Sequence, residues 1–453
     1  MKSTKVDVLN GSIPKQLMLF FFPILFGSLF QQIYNTTDAI IVGNVVGKYA
    51  LAAVGGTSAS LLNLFTGFAV GISSGASVVI AQSYGRNDEE EISKAVHTTI
   101  AFGIILSIII SVFMVINARG ILEFLKVPSE ILPKSTTYLR VLFMGFMASL
   151  LFNMGTGILR ATGDTKRPLY FLIIAVIANI VLDILFVVYF KMGVFGAAVA
   201  TVLAQILSAY LIIDSLVKTE FAHRLDFRKL AIDKEVLKKI LIIGIPAGIQ
   251  SSLFAISNLT VQSSINFLGA DYVAAWTTFG KVDGLYWMGI GSFGIAITTF
   301  VAQNFGAKQY KRVKDSVWIC FGISTIYSIV VTALLYFGSP YIYTLFLKDQ
   351  TVIDLSVKIM RDIAPFFVTY VALEILAGAL RGIGDSIVPT VITLVGICAL
   401  RIVWLLIVFK SNPSIDNVTI CYPISWITTS LTFLIYYFAI NPIKRKTEKL
   451  SLQ

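Results

Sequence analysis

The sequence predicts an all-α polytopic membrane protein with twelve transmembrane helices in two parallel six-helix lobes related by pseudo-twofold symmetry. Three observations support this fold class. The chain of 453 residues is 56% hydrophobic and only 13% charged, whereas soluble proteins average about 25% charged residues. Apolar runs of about 20 residues, long enough to cross ~30 Å of hydrocarbon, recur from end to end. Motifs of the first half return in the second half.

Twelve apolar runs can be counted along the chain, and none shows the short alternating pattern of a transmembrane β-barrel. An even number of spans predicts that both termini lie on the same side of the membrane. The predicted span centres lie near Leu25, Leu64, Leu106, Met147, Val181, Leu207, Leu253, Met288, Ile326, Ala372, Leu400 and Phe433.

The distribution of basic residues predicts the orientation. With the N-terminus inside, the cytoplasmic segments hold about 24 of the 36 Lys and Arg residues and the external segments about 9, and this bias sets topology. We therefore expect a multi-pass plasma-membrane protein, monomeric, with both termini cytoplasmic. The net charge of +11 is spread over short loops rather than over one face, which argues against nucleic acid as a partner.

An internal repeat divides the chain in two. The offset is 221 positions for two motif pairs and 223 for the third. Three matches in the same order indicate a duplication, and six spans per copy give both copies the same orientation. The pairs are "AQSYG" (81–85) with "AQNFG" (302–306), "LRATGDTKRP" (159–168) with "LRGIGDSIVP" (380–389), and "FPILFGSLF" (22–30) with "IPAGIQSSLF" (245–254).

The repeat predicts the domain organisation. Residues 1–217 form an N-lobe with spans 1–6, residues 218–239 a basic cytoplasmic linker, and residues 240–453 a C-lobe with spans 7–12. Substrate would pass between the lobes, and transport is the function typical of this architecture. In the repeated Gly-Asp loops, Pro168 and Pro389 open the next helix, so we interpret these loops as structural turns.

Acidic residues within the spans are the main candidates for function. An ionisable group at bilayer depth costs about 2.5–3.5 kcal/mol on insertion scales and usually marks a pathway or a relay. The acids within spans are Asp38, Asp183, Asp283 and Glu374.

Asp38 and Asp183 form the best candidate pair. Asn179 and Asp183 are four residues apart on one helical face. Gln31 and Tyr34 share a stripe of the first span with Asp38. Two carboxylates in a low-dielectric pocket cannot both ionise at low cost, so the pair could hold a proton near neutral pH. Their oxygen atoms would equally suit a sodium ion, and a purely structural bond between Asn179 and Asp183 is the remaining alternative.

The duplication provides an internal control for this pair. The second-half counterparts of Asn179 and Asp183 are Leu400 and Trp404, and the region that matches Asp38 contains no acid. A purely architectural role would often persist in both copies. The difference therefore favours a site that is used once, in the N-lobe.

The second half contains less certain candidates. Glu374 has Asn153 as its first-half counterpart, so both are candidates to line the substrate cleft. Glu374 either attracts cationic substrates or takes part in proton coupling, or it pairs with a cation within the spans such as Arg401. Asp283 and Lys281 are two residues apart and do not face each other on a helix, and for them we favour structural pairing.

The motifs together resemble one known family. Twelve spans in two halves, Pro23 within the first span, and the stretches "YNTTDAIIVG", "AQSYG", "LRATGD" and "ANIVLD" are similar to the multidrug and toxic compound extrusion (MATE) family over essentially the whole chain. The resemblance implies a cation site in the N-lobe. Its residues would be Asp38, Asn179, Asp183, Ala197 and Thr201, with Ala197 contributing its carbonyl, and Asp38, Asn179, Asp183 and Thr201 as the side chains for Na⁺.

The resemblance also implies the function. We expect a secondary-active antiporter that exports amphipathic, often cationic, organic compounds or drugs in exchange for H⁺ or Na⁺ by alternating access. A flippase for lipid-linked or polysaccharide precursors is the alternative, which the few cations within the spans disfavour. An enzyme is not expected, because the two His residues have no metal-binding spacing and no nucleotide loop is present. No cofactor is expected beyond the coupling ion.

Overall fold

The structure, a computed structural model, describes residues 6–345 and 348–451, and every regular element in these ranges is helical. In these ranges, eleven helical segments, some of them made of consecutive shorter helices, are long and apolar enough to cross a membrane, and there are twelve when two helices joined by a 48° bend count as one span. Each predicted span centre lies within one of these helices. The predicted fold class is therefore confirmed.

The first nine helices are named in chain order. They are α1 (Ile13–Val45), α2 (Lys48–Gly55), α3 (Thr57–Gly85), α4 (Glu89–Phe124), α5 (Leu132–Met144), α6 (Phe146–Ala161), α7 (Lys166–Asp183), α8 (Gly193–Val217) and α9 (Lys234–Leu268). A π-helical segment, Ile184–Tyr189, follows α7, and a short 3₁₀ helix, Phe227–Lys229, precedes α9.

The remaining nine helices complete the second half. They are α10 (Ala270–Gly306), α11 (Tyr310–Thr344), α12 (Gln350–Ile363), α13 (Phe367–Gly382), α14 (Ile387–Thr393), α15 (Leu400–Trp404), α16 (Ile415–Thr419), α17 (Cys421–Ile440) and α18 (Pro442–Ser451). A 3₁₀ turn, Ala364–Phe366, joins α12 to α13, and the π-helical segments Leu394–Ala399 and Leu405–Phe409 flank α15.

The chain forms two compact units. Among the described residues, the N-unit contains Val6, Asp7 and Phe22–Gly248, and the C-unit contains Val8–Phe21 and the residues that follow Gly248. The boundaries between them fall within α1 and α9. The lobe limits at residues 217 and 240, which were inferred from the repeat, stay a prediction.

Helix α4 shows how the local sequence starts a span. The Asp88 carboxylate accepts the backbone N–H of Glu91 at 3.0 Å, which satisfies one free donor of the first turn. The first turn carries three glutamates, Glu89–Glu91. Their negative charges interact favourably with the positive, N-terminal end of the helix dipole. The span begins at Glu89 for these reasons.

Within the N-unit, glycines allow α3 and α9 to pack backbone against backbone. A Cβ at Gly71 would overlap the backbone of Gly248, and a Cβ at Gly75 would overlap that of Gly244 and Ile240. Each pair of glycines is four residues apart, so both lie on one helix face. Small residues at this spacing are typical of close helix contacts in membranes.

The repeated loops are built alike in both units. Gly163 and Gly384 adopt φ values of +89° and +83°, which glycine tolerates without strain. The next residue then caps the following helix, because Asp164 accepts the N–H of Arg167 at 3.1 Å and Asp385 accepts that of Val388 at 3.4 Å. These contacts support the interpretation of the loops as structural turns.

The linker is anchored to the start of α4. The Asp226 backbone N–H donates to His97 Nε2 at 3.0 Å, and the Asp233 N–H donates to Thr98 Oγ1 at 3.0 Å. Lys239 forms an ion pair with Glu91 at 2.8 Å. Two buried side chains of α4 thus hold backbone that lacks a regular helix of its own.

Candidate functional site

The candidate site lies in the N-unit, where α1, α7 and α8 supply polar side chains. Asp38 lies in the second half of α1 and is 7% exposed. Asp183 is the last residue of α7, Asn179 precedes it by one turn, and both are fully buried. The four-residue spacing brings the amide and the carboxylate onto one face, as the sequence predicted.

Five of the six polar side-chain atoms of these three residues are buried without a hydrogen-bond partner among the described residues. They are Oδ1 of Asp38, both amide atoms of Asn179 and both carboxylate oxygens of Asp183. A buried polar atom left unsatisfied costs about 1–3 kcal/mol, and more when it is charged. Five such atoms in one place are costly unless a ligand or a proton completes them.

The two carboxylates are electrostatic neighbours. Asp183 interacts with Asp38, and the hydroxyls of Tyr34 and Tyr138 lie within the field of both acids. No Lys or Arg in the described part of the chain forms an ion pair with either acid. The positive charge that two buried acids need is not supplied by these residues.

Helix α8 brings two further residues to the same region. Thr201 is 4% exposed, and its hydroxyl lies beside that of Tyr34 without a hydrogen bond of good geometry. Ala197, one turn earlier, is fully buried in an apolar cluster with Tyr138 and Val187. The Tyr34 hydroxyl therefore lies near the Thr201 hydroxyl and within the field of both acids.

The backbone changes its winding next to the site. The π-helical segment Ile184–Tyr189 begins immediately after Asp183, and single π turns are frequent at functional sites. Its second-half counterpart begins at Leu405, 221 positions later. The π turn is thus present in both units, whereas the polar side chains are present only in the N-unit.

Comparison with known sequences identifies the family. The sequence model of the MatE family matches residues 23–185 and, a second time, residues 246–407. The chain belongs to the MATE family. Members are multi-span membrane transporters of the plasma membrane, and the double match corresponds to the duplication found in the sequence.

Two curated MATE relatives and one solved structure extend the comparison. The probable multidrug resistance protein YoeA of Bacillus subtilis is 30% identical, with 94% of each chain covered. The multidrug export protein MepA of Staphylococcus aureus is 24% identical over 77% of this chain and 76% of its own. A crystal structure of MATE in the bent conformation is 23% identical, covers 99% of this chain and all of its own, and has a TM-score of 0.90.

The predicted cleft residues of this MATE protein have varied surroundings. Gln31 is exposed and Tyr34 is half-buried on α1. The Asn153 amide donates to the Ser149 carbonyl of its own helix at 2.8 Å. Glu374 lies 3.8 Å from Arg381 and interacts with the Tyr370 hydroxyl. Asn153 and Glu374 thus have partners already.

The positions that correspond to the N-unit acids have a different role in the C-unit. Trp404, the counterpart of Asp183, donates its indole N–H to the Asn417 carbonyl at 2.9 Å.

The charged candidates of the C-unit have their own contacts. Arg401 contacts Ser425 and Tyr422 and forms no ion pair with Glu374, which is one of the alternatives that the sequence left open. Asp283 accepts the indole N–H of Trp287 at 2.9 Å, whereas Lys281 is exposed.

Tyr138 is the residue of this region that sequence reasoning missed. It is 5% exposed on α5, packs in the cluster that contains Ala197, and interacts with both acids. Its only sequence signal is a tyrosine hydroxyl within an apolar span. Many aromatic residues of the chain share that feature, so contacts between helices were needed to find it.

Proposed function

We propose that this chain is a secondary-active antiporter that exports amphipathic, often cationic, organic compounds in exchange for H⁺ or Na⁺ by alternating access. Relatives named as multidrug resistance and multidrug export proteins support the export of drugs. The coupling site that we propose consists of Asp38, Asn179 and Asp183, with Thr201 and the carbonyl of Ala197.

The observation that carries this proposal is a set of five buried polar atoms on Asp38, Asn179 and Asp183 that find no hydrogen-bond partner within the described ranges. Structural polar groups in an apolar bundle normally satisfy each other. Here two interacting acids and an amide are buried, and four of their five side-chain oxygen atoms have no hydrogen-bond partner in the described part of the chain. Such an arrangement suits an ion that arrives and leaves during each cycle.

The donor set fits either ion. Sodium is a hard cation, and carboxylate, amide and hydroxyl oxygens are the ligands that hard cations prefer. A single proton shared by Asp38 and Asp183 would also remove the repulsion between them. In both cases the bound ion cancels one negative charge inside the N-unit.

Helix α1 is the element that would respond to this change of charge. Asp38 lies on it, and Pro23 interrupts its hydrogen-bond ladder, which makes that region the natural bending point. An ion entering from outside moves with the membrane potential, and each charge gains about 2.3 kcal/mol per 100 mV. We propose that this energy drives the export step.

The predicted topology and assembly complete the proposal. The basic residues of the linker and of the C-terminal tail support cytoplasmic termini. We propose a monomer with six spans in each lobe. Each chain would then carry its own coupling site.

Efflux from proteoliposomes tests this function. Vesicles are loaded with ethidium as the fluorescent organic cation, and a pH gradient and a sodium gradient are imposed separately. We expect one of the two gradients to drive efflux from vesicles with the wild-type protein, and Asp183→Asn to abolish that efflux. Asp214→Asn makes the same chemical change at a half-buried carboxylate paired with the exposed Lys218 and should keep the efflux. If neither gradient drives efflux, the antiport proposal fails.

A further inference from the structure

The C-unit contains a cavity that the proposed ion site does not use. Its volume is about 420 Å³, within the ~300–1,000 Å³ range of small-molecule sites. Helices α9, α10, α13, α15 and α17 contribute side chains to it. The aromatic residues of its wall include Trp276, Trp287, Tyr370, Tyr422 and Trp426.

These aromatic residues form one continuous surface. The ring centroids of Trp287 and Tyr370 are 4.8 Å apart, those of Trp287 and Trp426 are 5.6 Å apart, and those of Tyr422 and Trp426 are 5.5 Å apart. Trp276 contacts Tyr422 with 5.8 Å between the ring centroids. A flat aromatic ring that packs against such a surface makes favourable stacking and edge-to-face contacts with it.

Arg401 provides the positive charge of the cavity. It is 4% exposed, and its Nε–H donates to the Ser425 hydroxyl at 3.0 Å. The guanidinium carbon lies 4.0 Å from the ring centroid of Tyr422 and 5.8 Å from that of Trp426. Among the described residues, no carboxylate forms an ion pair with Arg401.

A buried guanidinium without an anion is costly at membrane depth. One donor is used by Ser425, and the remaining N–H groups form a planar fork that matches a carboxylate. Aromatic faces stabilise a cation, but they do not accept these hydrogen bonds as a carboxylate would.

Asp283 lines the same cavity but is already hydrogen-bonded. Its carboxylate accepts the indole N–H of Trp287 at 2.9 Å and interacts with the backbone N–H of Gly284. These donors hold it on its own helix. Asp283 forms no ion pair with Arg401 among the described residues, so the guanidinium N–H groups that Ser425 does not use can donate to a ligand.

We propose that this cavity binds flat aromatic monocarboxylates, with the ring against the tryptophan and tyrosine side chains and the carboxylate on Arg401. This inference rests on the proposed function in one respect, which is that compounds bound in the cavity would be export substrates. Binding itself needs no gradient. A binding assay can therefore succeed or fail independently of ion-driven efflux.

Three probes with the same ring and different charges test the site. Anthracene-2-carboxylate is the anion, its carboxamide is neutral, and anthracen-2-ylmethylammonium is the cation. Binding to the purified protein in a non-ionic detergent is followed by energy transfer from tryptophan to anthracene. Three of the five tryptophans line the cavity, so a ligand there gives a strong signal.

We expect the carboxylate to bind about tenfold or more tightly than the carboxamide, because hydrogen bonds to a charged group contribute that much. Arg401→Gln should reduce this preference to less than about twofold by the same reasoning. The matched control is Arg361→Gln, which removes an exposed guanidinium that lies over Tyr336 and should keep the preference.

A second variant keeps the proposal testable if Arg401→Gln does not fold. Asp283→Asn removes the negative charge of the cavity wall and should tighten carboxylate binding by about threefold, since like charges repel at close range. The proposal is overturned if the wild-type protein shows no preference for the carboxylate. It is equally overturned if the preference survives in folded Arg401→Gln, or if Asp283→Asn weakens carboxylate binding.

Discussion

Asp183, at the end of α7, interacts electrostatically with Asp38 of α1, and no basic side chain in residues 6–345 and 348–451 forms an ion pair with either. Two acids in one buried region repel each other unless an ion intervenes. This relationship leads to the main predictions about transport.

Replacing either acid should remove ion-driven efflux. We expect Asp38→Asn and Asp183→Asn each to lower the initial rate by about tenfold or more, because each substitution removes a carboxylate of the proposed coupling site. The double variant should transport about as slowly as the single variants, since residues that act as one unit are not additive. Initial rates in proteoliposomes provide the measurement. Losses that multiply in the double variant would instead indicate two independent sites.

Asn179→Leu introduces the residue found at the second-half counterpart, Leu400. It should raise the stability of the protein while it lowers transport. The buried amide has no partner among the described residues, so its removal relieves a cost of about 1–3 kcal/mol. We expect the midpoint of thermal unfolding in detergent to rise by about 1 °C per kcal/mol, since the shift becomes smaller as the chain becomes longer, while efflux falls.

The exposed residue Asn117 serves as the control for this substitution. Its amide donates to the Phe113 carbonyl at 2.8 Å, so Asn117→Leu should bring no gain in stability. A lower unfolding temperature for Asn179→Leu would show that the amide has a structural bond, which is the alternative that the sequence left open.

The fold class was predictable because long apolar runs and a repeat are properties of the chain itself. The buried pair Asn179 and Asp183 was found for the same reason, since two polar residues stand out in a run of hydrocarbon side chains. The helical spacing then placed them on one face.

Contacts between distant helices were not predictable in the same way. The position of Tyr138 and the aromatic rings around Arg401 depend on packing between spans, and the order of residues along one chain does not show which helix faces meet. The hydrogen bond from Trp287 to Asp283 could have been predicted from the sequence, since the two residues are four apart on one helix. The sequence analysis instead considered Lys281 as the partner of Asp283, because it is nearer in the chain.

The close contact between α3 and α9 at Gly71 should make the protein sensitive to a larger residue at that position. In Gly71→Ala the new methyl group would overlap the backbone at Gly248, and we expect a loss of about 1–3 kcal/mol from overpacking. Gly120→Ala, on α4, meets nothing within 4 Å and should gain up to about 1 kcal/mol of helix propensity. Thermal unfolding should thus shift in opposite directions for the two variants, and equal shifts would disprove the contact.

The anchored linker makes a prediction about local opening. Thr98→Val removes the acceptor for the Asp233 N–H, which should raise trypsin cleavage within residues 218–239 about fivefold for a bond of ~1 kcal/mol. Thr99→Val removes a hydroxyl that donates to the Ala95 carbonyl of its own helix rather than to the linker, so cleavage of the linker should stay near the wild-type rate. Similar cleavage rates for both variants would argue against the anchor.

The central claim is that an ion binds reversibly at Asp38 and Asp183 and leaves when substrate binds. In an antiporter of this kind, bound substrate lowers the affinity for the ion, and the bound ion lowers the affinity for substrate by the same factor. The most direct measurement is the release of protons or sodium from purified protein on addition of ethidium. We predict the release of about one ion per chain from the wild-type protein and from Asp214→Asn, and none from Asp183→Asn. Equal release from Asp183→Asn and the wild-type protein would contradict the account.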